Sequence, residues 1–594
     1  MKIQNLIFPK EDICTKRDLY VRLDEKAQLY MDLSEIRFRK YGTAHFDTYF
    51  NSFSAEKWFQ YTDVKKISLV LYLKGKFLLT IRHKERVYPN LVNETVLHEV
   101  EISSTEKGEY IFPIQTSLKN GMYAFSLRAL EQNSVYYGGY YDAQVERKNH
   151  VNLGIVICTY KRESFVLKNL ASIKKEILEN SDCIMQDHLE VFITDNAKTL
   201  KRKELEGSKV HIFPNKNVGG AGGFTRGMIE VLEYNKKEKK PITNVLLMDD
   251  DVCIETEALY RTYTLLTVLK EDYKDSFIGG AMLRLDFPEI QVEAGAAWNG
   301  GKLISRKGNL NLIYCEACLF NEIEEYYEFQ AWWYCTIPIR VIREDNLPLP
   351  IFIRGDDVEY GLRNMKHLIL MNGISLWHEP FERKYSSSMF YYILRNRMID
   401  NAVRKINYTQ KEMYEELKQQ VIDETLKFRY KNAHLLMDGV EDFLRGVDWF
   451  LKLDGEKKHQ EVMAKGYRLK EQGDLMDYGL YEFERNRGEG KKQYMKRKLS
   501  CNGLLLTPNH NTIVPLNEAR IINFHRANRV FHYDYYSRKG FYTKCDKKEI
   551  LKCFQRLRKI KKLSMQRYDK CVKEFYTRQK EFTNLTFWKK YLGI

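Results

Sequence analysis

Three consecutive aspartates, Asp249 to Asp251, directly follow an apolar run, Val245–Met248, that is typical of a strand buried on both faces. Adjacent carboxylates repel one another unless a cation or hydrogen-bond donors neutralise them. Alternate residues of an extended chain point to the same side, so Asp249 and Asp251 could share one divalent metal ion. The alternative is that one aspartate caps a helix predicted at 255–269 while the others are solvated.

A glycine cluster precedes the aspartates along the chain. Four of the five residues 219–223 are glycine, and Arg226 follows shortly after. Glycines let the backbone approach a ligand closely, and the free N–H groups at the start of a following helix attract phosphate. The pattern matches neither a Walker loop nor the dinucleotide fingerprint. It indicates a diphosphate-binding loop, and the alternative is a tight turn required for steric reasons alone.

These residues need a scaffold that brings strand ends together, and the sequence from residue 149 predicts one. Buried strands at Leu153–Thr159 and Leu189–Thr194 are separated by an amphipathic helix. Such alternation predicts a right-handed, mostly parallel α/β sheet. In open sheets of this kind ligands bind beyond the carboxyl ends of the strands, where Asp195 and the three aspartates fall.

Residues 1–148 indicate a different architecture. Short strands recur, as in the pair around the Lys74-Gly75 turn, and they favour a β-sandwich or a barrel. Four aromatic residues could form a glycan-binding face, although core packing is the commoner role of such side chains. They are Trp58, Tyr72, Tyr136 and Tyr137.

The C-terminal part, residues 401–594, has the apolar spacing of helices and carries basic runs at 491–498 and 556–562. The whole chain has a net charge of +16, which favours an anionic partner. Cations interleaved with aromatic residues suit an anionic membrane surface. Nucleic acid and a merely solvated helix face are the alternatives. We favour the membrane surface and expect no nucleic-acid partner.

The signals that bear on localisation favour the cytoplasm. The chain has no long apolar stretch of the membrane-spanning kind, and its first twelve residues lack the apolar core of a signal peptide. Its 11 scattered cysteines suit a reducing compartment. Cys315 and Cys318 have the spacing of half a zinc site, but no second pair follows at a suitable distance. We expect a cytoplasmic protein, peripheral on the inner face of the cell membrane.

Seven short motifs lie in order between residues 150 and 400. They are Ile157-Cys-Thr159-Tyr-Lys-Arg162, Asp195-Asn196, the stretch from Asn217 to Gly227, Met248-Asp-Asp-Asp251, Trp332-Trp333, Gly355-Asp-Asp357-Val-Glu-Tyr-Gly and Trp377-His378. In this order they resemble the family 2 glycosyltransferases, and most closely the bacterial galactofuranosyltransferases that polymerise cell-wall galactan. The order of the motifs is more specific than any one of them. The β-rich front and the helical tail are similar to that architecture as well.

The resemblance implies an α/β GT-A core, a Rossmann-like nucleotide-sugar fold, at 149–400, between a β-sandwich domain at 1–148 and a basic helical domain at 401–594. It also implies a divalent metal ion held by Asp249, Asp251 and His378. For His378 the alternative is a purely structural role. One imidazole among carboxylates favours Mn2+ over Ca2+, with Mg2+ as an alternative. The donor-binding residues implied by the resemblance are Thr159, Arg162, Asp195, Asn217, Gly222, Arg226 and Asp250.

Asp357 is implied to be the general base that deprotonates the acceptor hydroxyl in a one-step displacement with inversion. In a competing interpretation Asp356 and Glu359 form a capping-box pair for a helix at 357–366, which puts Asp357 in its first turn. A helix N-terminus lowers the pKa of a carboxylate and so makes it a weaker base in the ground state. This matters less if the acceptor hydroxyl loses its proton late in the reaction, when it has become more acidic. Asp356 is then a cap or a hydrogen-bonding partner of the acceptor sugar.

Trp332 and Trp333 are assigned to the acceptor subsite, where aromatic faces stack on a sugar ring. Core packing explains one of two adjacent tryptophans more easily than both. The chain departs from the family pattern at Ile393, because the family can carry a histidine near the diphosphate there. Arg395 and Arg397 are the candidates that would replace this phosphate contact.

The sequence thus predicts a metal-dependent inverting glycosyltransferase that moves galactofuranose from UDP-galactofuranose to a lipid-linked cell-surface glycan, in cell-wall or capsule polysaccharide biosynthesis. One alternative is the same fold with another nucleotide-sugar donor, as in a rhamnosyl- or galactosyltransferase. Another is an inactive glycan- or lipid-binding scaffold, against which the joint presence of the metal ligands and Asp357 argues. A homo-oligomer is implied by the resemblance alone.

Overall fold

The computed structural model describes residues 1–87, 91–146, 148–299, 301–471 and 489–594. The chain divides into two compact units. The first unit comprises Met1–Lys216, Gly222–Leu347 and Tyr360–Glu379. The second unit comprises Asn217–Ala221, Pro348–Glu359 and Pro380–Ile594. The three domains expected at 1–148, 149–400 and 401–594 divide the chain differently and stay a prediction.

Antiparallel strands make up the first part of the first unit. They are β1 (Lys2–Leu6), β2 (Arg22–Leu23), β3 (Ala27–Tyr30), β4 (Glu35–Phe38), β5 (Thr43–His45), β6 (Val64–Val87), β7 (Leu91–Ile114), β8 (Met122–Ala129) and β9 (Ser134–Val145), with helix α1 (Ala55–Tyr61) between β5 and β6. The sheet order is β2-β5-β8-β6-β9-β4-β3, with β1 paired to β9 and β7 to β6. Strand β6 pairs with β9 over its first half and with β8 over its second, so it joins two halves of one sheet.

The four aromatic residues considered for a glycan-binding face do not form one surface. Trp58 and Tyr136 are fully buried in the core of the first unit, so that hypothesis is wrong for both. Tyr72 and Tyr137 are partly exposed, and the Lys107 ammonium lies 5.9 and 4.7 Å from their ring centroids. Alternation along a strand sends neighbouring residues to opposite faces, which is why Tyr136 and Tyr137 differ.

A second, larger sheet follows in the first unit. Its strands are β10 (Leu153–Thr159), β11 (Leu189–Asp195), β12 (Val210–Pro214), β13 (Asn244–Asp249), β14 (Val252–Ile254), β15 (Phe277–Arg284), β16 (Ile290–Glu293), β19 (Leu310–Asn311), β20 (Tyr334–Pro338) and β21 (Leu368–His378); β17 (Ala296–Asn299) and β18 (Lys302–Ser305) form a separate hairpin. The helices of this stretch of chain are α2 (Glu163–Ile173), α3 (Arg202–Leu205), α4 (Gly219–Lys237), α5 (Thr256–Val268), α6 (Cys315–Glu322) and α7 (Asp356–Asn364).

The order of this sheet corrects the expectation of a mostly parallel one. The path runs β12-β11-β10-β13-β20-β15-β16-β19, and β21 pairs with β14 and β15. The first four strands are parallel and in chain order read 3-2-1-4, the arrangement of a nucleotide-binding half. Beyond β13 the pairings are antiparallel except between β15 and β21, so the sheet is mixed. After β15, short hairpin strands replace the crossover helices that parallel neighbours need.

Helices and a small sheet form the rest of the second unit. The helices are α8 (Met389–Val403), α9 (Gln410–Leu426), α10 (Tyr430–Phe443), α11 (Val447–Leu451), α12 (Gly455–Lys465), α13 (Lys491–Leu499), α14 (Lys547–Arg578) and α15 (Leu585–Leu592). The strands are β22 (Lys470–Glu471), β23 (His510–Pro515), β24 (Ala527–Asp534) and β25 (Lys539–Lys544), in the order β22-β25-β24-β23. The expectation of a helical region is therefore wrong for these four strands.

The core of the second unit lies between its long helices. Helix α14 buries one side chain every three or four residues, which is the period of a helix packed along one face. These side chains contact apolar residues of α8, α9 and α10. In the described parts of the chain, no helix combines the length and the apolar character needed to cross a bilayer.

Candidate functional site

Three parallel strands of the first unit end side by side and carry candidate residues at their carboxyl ends. In the register of the sheet, Thr159 at the end of β10 pairs with Asp195 at the end of β11. Cys158 of β10 pairs with Asp249 at the end of β13. The strand order reverses between β10 and β13, and open α/β sheets bind ligands in the crevice at such a point. The residues predicted from strand ends therefore do meet at one edge.

The three predicted metal ligands converge at this edge. One ligand atom from each of Asp249, Asp251 and His378 lies within 4.8 Å of the other two. The Nε2 atom of His378 is 3.3 Å from Oδ1 of Asp251. Pairing of β14 with β21 brings the histidine here, because Val252 stands opposite His378 in the register. Two hard carboxylates and one imidazole form a donor set that fits a divalent cation such as Mn2+ or Mg2+.

Arg162 and Asp250 adjust the charge of this group. The Arg162 guanidinium forms an ion pair with Oδ2 of Asp251, so a metal ion would share that carboxylate with a cation of the protein. Burial raises the pKa of Asp250 to about 6, against the lowering effects of the Thr159 hydroxyl and Arg162. The neighbouring Asp249 carboxylate raises it further. Thr159, Arg162 and Asp250 thus lie together at the metal group.

Asp195 organises the turn after its own strand. Its Oδ1 accepts hydrogen bonds from the backbone N–H groups of Ala197 and Lys198, both at 2.9 Å. Its Oδ2 accepts one from Leu200 at 2.7 Å. Both carboxylate oxygens therefore accept hydrogen bonds from the backbone of this turn. A contact of Asp195 with the donor stays a prediction.

The glycine cluster has a steric explanation at several positions. A Cβ on Gly223 would lie 2.0 Å from Sγ of Cys158, and one on Gly227 would lie 2.2 Å from Cγ1 of Val156. These glycines let α4 pack directly against β10. Gly222, just before Gly223, is buried, and its approach to a diphosphate stays a prediction.

Arg226 is already engaged within the first unit. Its Nε donates to Oε1 of Glu230 at 2.6 Å, one helical turn further along α4. Its Nη1 lies 3.5 Å from Oδ1 of Asn215. A phosphate contact by Arg226, predicted from its place beside the glycines, would have to compete with Glu230.

Neither tryptophan of the Trp332-Trp333 pair offers an open face. Trp332 is buried against Phe224 and Tyr360, with ring centroids 5.4 and 5.9 Å away and both contacts edge-on. Trp333 is buried as well, and its indole N–H donates to the carbonyl oxygen of Gly280 at 3.0 Å. A sugar cannot stack on a ring that the core covers, so the acceptor-stacking assignment is wrong for this structure. Both residues pack in the core.

In the second unit, Asp356 and Asp357 open helix α7, which begins one residue earlier than predicted. Asp356 is buried, and Asp357 is partly exposed with its Oδ1 accepting from the N–H of Val358 at 2.8 Å. The Glu359 carboxylate lies 3.5 Å from Nη1 of Arg404. Asn217, also in this unit, accepts from the N–H of Gly219 at 3.2 Å, at the start of α4.

The loop directly before helix α7 adopts a rare backbone conformation. Phe352, Arg354 and Gly355 have φ values of 77°, 69° and 100°. A bulky residue in this region costs about 1–3 kcal/mol and persists only where its surroundings enforce it. The enforcing contacts come from α8 of the same unit: Nη2 of Arg395 donates to the Ile351 carbonyl at 2.7 Å, and Nδ2 of Asn396 donates to those of Ile353 and Arg354 at 2.8 and 2.7 Å.

This arrangement corrects the expectation for Arg395. Its side chain is fully buried, and its guanidinium carbon lies 4.9 Å from the ring centroids of both Tyr391 and Tyr392. Arg395 therefore holds the loop and does not reach a phosphate. Arg397 forms an ion pair with Glu416. Sequence reasoning missed Asn396, which stands between Arg395 and Arg397 in helix α8.

Asp400 lies one turn beyond Asn396 and is buried. A Cβ on Gly355 would come 2.5 Å from its Oδ2, so the carboxyl group packs against the loop. Burial raises the pKa of Asp400 well above its usual range, and the nearby carboxylates of Glu359, Asp357 and Asp356 act in the same direction. The ionised form of Asp400 is therefore disfavoured beside Asp357.

Comparisons with known proteins agree with the resemblance seen in the motifs. Residues 3–142 match the family described as "Galactofuranosyltransferase 2 N-terminal". The chain is 24% identical over 443 residues to galactofuranosyltransferase GlfT2 of Mycolicibacterium smegmatis, covering 68% of this chain and 64% of the relative. It is 24% identical over 387 residues to GlfT2 of Mycobacterium tuberculosis, covering 60% and 58%. The chain spans less than two thirds of the length of each relative, and it resembles polymerising galactofuranosyltransferases.

Among solved structures, the chain shows similarity to "Mannosyltransferase PcManGT from Pyrobaculum calidifontis in complex with GDP-Man and Mn2+". The identity is 8%, the TM-score is 0.27, and the match covers 50% of this chain and 74% of the other. Similarity at this level establishes no relationship.

Proposed function

We propose that the chain is a metal-dependent inverting glycosyltransferase that transfers galactofuranose from UDP-galactofuranose to a lipid-linked cell-surface glycan. The observation that carries this proposal is the convergence of Asp249, Asp251 and His378 within 4.8 Å at the edge of a sheet with nucleotide-binding strand order. The similarity to galactofuranosyltransferases supports the donor sugar. The core of residues 149–400 is then a GT-A fold.

In this proposal Asp249, Asp251 and His378 hold a divalent ion, Mn2+ or Mg2+. When bound, such an ion stabilises the negative charge that develops on a departing nucleoside diphosphate. Arg162 supplies a second positive charge at the same carboxylate, and Thr159 and Asp250 contribute polar groups for the donor. Asp195, Asn217, Gly222 and Arg226 complete the proposed donor-binding set.

Asp357 is proposed as the general base. The acceptor hydroxyl oxygen forms a bond to the anomeric carbon while the bond from that carbon to the UDP oxygen breaks, which inverts the configuration. The hydroxyl proton passes to the Asp357 carboxylate. The clamped loop before α7 supports the position of this carboxylate. Asp356 is proposed to hydrogen-bond the acceptor.

A lipid-linked acceptor gives the chain a reason to work at a membrane surface. We propose a peripheral association with anionic lipids on the inner face of the cell membrane, in cell-wall or capsule polysaccharide biosynthesis. The net charge of +16 supports an anionic partner. A homo-oligomer is proposed on the resemblance alone.

The test is a donor screen. Purified protein is incubated with Mn2+, a galactofuranoside acceptor and a panel of nucleotide sugars, and the released nucleoside diphosphate is measured. We expect release from UDP-galactofuranose above the other donors, and none with Asp357→Asn. Release from a rhamnose or galactopyranose donor instead would keep the fold and change the substrate. Equal activity of Asp357→Asn would remove the base assignment and favour a scaffold role.

A further inference from the structure

A short helix and the loop after it expose a cluster of apolar side chains in the second unit. Five large apolar residues between positions 494 and 506 are 42–75% exposed. They are Tyr494, Met495, Leu499, Leu505 and Leu506. Single exposed apolar residues are common on protein surfaces, whereas contiguous apolar patches mark a place of interaction. Residues 491–506 are called the docking patch below.

The helix of the docking patch surrounds its apolar stripe with cations. At about 100° per residue, Met495 and Leu499 of α13 lie on one stripe. Lys492 and Lys496 flank one side of this stripe, and Lys491 and Lys498 flank the other. All four lysines are exposed, and within the described ranges none of them forms an ion pair with a carboxylate. Their charge is therefore available to an external anion.

The fold holds this patch in place. Arg497 forms a bidentate ion pair with Glu489, at 2.8 and 2.9 Å, at the start of α13. In the loop, Nδ2 of Asn502 donates to the carbonyl oxygen of Ile521 at 3.0 Å. Further on, Nε of Arg526 donates to the carbonyl oxygen of Thr507 at 3.1 Å. The exposure of the leucines is thus imposed by a pinned loop and not by a loose chain end.

We infer that the docking patch inserts its apolar side chains into the headgroup region of an anionic lipid bilayer while its lysines contact the lipid phosphates. An amphipathic helix with lysines around an apolar stripe has the composition that binds in the plane of such an interface. Aliphatic side chains gain nothing from nucleic-acid phosphates, and lysine is depleted at protein–protein interfaces. Lipid is the one partner that both parts of the patch fit.

The other basic surface of the second unit lacks this combination. Helix α14 exposes many cations, but its large exposed apolar residues, Leu551 and Met565, stand fourteen positions apart. Each is an isolated apolar side chain among charges, which is ordinary for a solvated helix face. The inference therefore assigns bilayer insertion to the docking patch and leaves α14 as a matched control.

The experiment is vesicle binding by the full chain. Vesicles of phosphatidylcholine with about 30% phosphatidylglycerol are compared with phosphatidylcholine alone by co-sedimentation. The patch variant carries Met495→Ser, Leu499→Ser, Leu505→Ser and Leu506→Ser, and the control carries Leu551→Ser and Met565→Ser. We expect the patch variant to lose on the order of tenfold or more in partitioning to anionic vesicles, and the control to match the unaltered protein. Circular dichroism checks that both variants keep their helices.

A second measurement follows insertion directly. A tryptophan at position 499, introduced as Leu499→Trp, should shift its emission to the blue with anionic vesicles, unlike a tryptophan introduced as Leu551→Trp. Unchanged binding of the patch variant, equal loss in the control, or equal binding to phosphatidylcholine alone would each overturn the inference. In a competition experiment, RNA that binds the docking patch and displaces the protein from anionic vesicles would overturn the inference as well.

This inference rests on the proposed function in one respect: a lipid-linked acceptor gives the protein a reason to bind a membrane. Failure of every nucleotide sugar in the donor screen would remove the proposed transfer reaction and leave vesicle binding measurable. Conversely, a patch variant that binds vesicles normally would refute the membrane role of the docking patch. The proposed transfer reaction, measured as turnover on a soluble acceptor, would be unaffected by that result.

Discussion

The side-chain amide of Asn396 lies 2.7 Å from the carbonyl oxygen of Arg354, three residues before the proposed base Asp357. With its second bond, to the Ile353 carbonyl at 2.8 Å, the amide holds a loop that contains two non-glycine residues with positive φ. A strained segment keeps its shape only while such contacts outweigh its conformational cost. Asn396 is therefore a positioning residue for Asp357.

We expect Asn396→Ala to lower kcat on the order of a hundredfold with little change in the KM for the donor, because the base is displaced while donor contacts remain. Steady-state kinetics with UDP-galactofuranose measures both. Gln419→Ala on the exposed face of α9 is the control for loss of a helix amide. An unchanged kcat in Asn396→Ala would show that the loop keeps its shape without the clamp.

The metal group predicts a specific loss of cation binding. Asp251→Asn or His378→Ala should weaken Mn2+ binding on the order of a hundredfold, since each removes one of three converging ligands. Calorimetric titration with Mn2+ measures this without turnover. Asp187→Asn, at a carboxylate 68% exposed elsewhere in the first unit, should bind Mn2+ as the unaltered protein does. Equal loss in that control would point to nonspecific binding.

Loss of Arg162 should have the opposite effect on Mn2+ binding when no nucleotide is bound. Its guanidinium is paired with Asp251, so it competes with a metal ion for that carboxylate. We expect Arg162→Gln to bind Mn2+ more tightly, by a few-fold, when no nucleotide is present, and to bind UDP more weakly. Titrations with Mn2+ alone and with UDP plus Mn2+ separate the two effects. Weaker Mn2+ binding in the first titration would contradict the competition.

Asp47 predicts a pH-dependent contribution to the stability of the first unit. Burial opposes its ionisation, but the Lys84 ammonium and the Arg22 guanidinium outweigh burial and lower the pKa from 3.8 to about 2. A lowered pKa stabilises the folded state fully above the unfolded value, and this contribution disappears as the pH falls from about 4 to about 2. Its size is about 2 kcal/mol.

Denaturant unfolding of Asp47→Asn, followed by a signal from the first unit, measures this contribution. We expect a deficit in the free energy of unfolding at pH 7 that shrinks steadily below pH of about 4. Asp32→Asn, at an exposed carboxylate of the same sheet region, provides the comparison. A deficit in the free energy of unfolding that is the same at pH 7 and well below a pH of about 4 would mean that packing, and not charge, makes Asp47 important.

Gly223 tests the steric explanation of the glycine cluster. Glycine to alanine in a helix normally stabilises by about 1 kcal/mol. Here the added Cβ would lie 2.0 Å from Sγ of Cys158, so Gly223→Ala should destabilise the first unit by about 1–3 kcal/mol. Adding Cys158→Ala removes the nearest obstructing atom and should restore part of that loss, because Cβ of residue 158 would still lie 2.9 Å away. Gly207→Ala, whose Cβ would meet nothing within 4 Å, should be nearly neutral.

Much of the metal group could be predicted from sequence, because an apolar strand that ends in charges places those charges at a sheet edge whatever the rest of the fold does. The strand ends carry Thr159, Asp195 and Asp249 as predicted, and Asp251 follows the end of β13 by two residues. His378 is 127 residues from Asp251, and only the pairing of β14 with β21 joins them. The motif order indicated that histidine through resemblance, and local periodicity contained no information about the pairing.

Burial and long-range hydrogen bonding were decided by the tertiary structure. Two adjacent tryptophans are compatible with an open sugar platform or with a core, and only their neighbours Phe224, Tyr360 and Gly280 settle that both are covered. Arg395 looks like a phosphate ligand until its partners are known. Strand-end chemistry follows from local sequence, whereas the environment of a side chain depends on segments far away in the chain, and that is the physical limit of what this sequence determines alone.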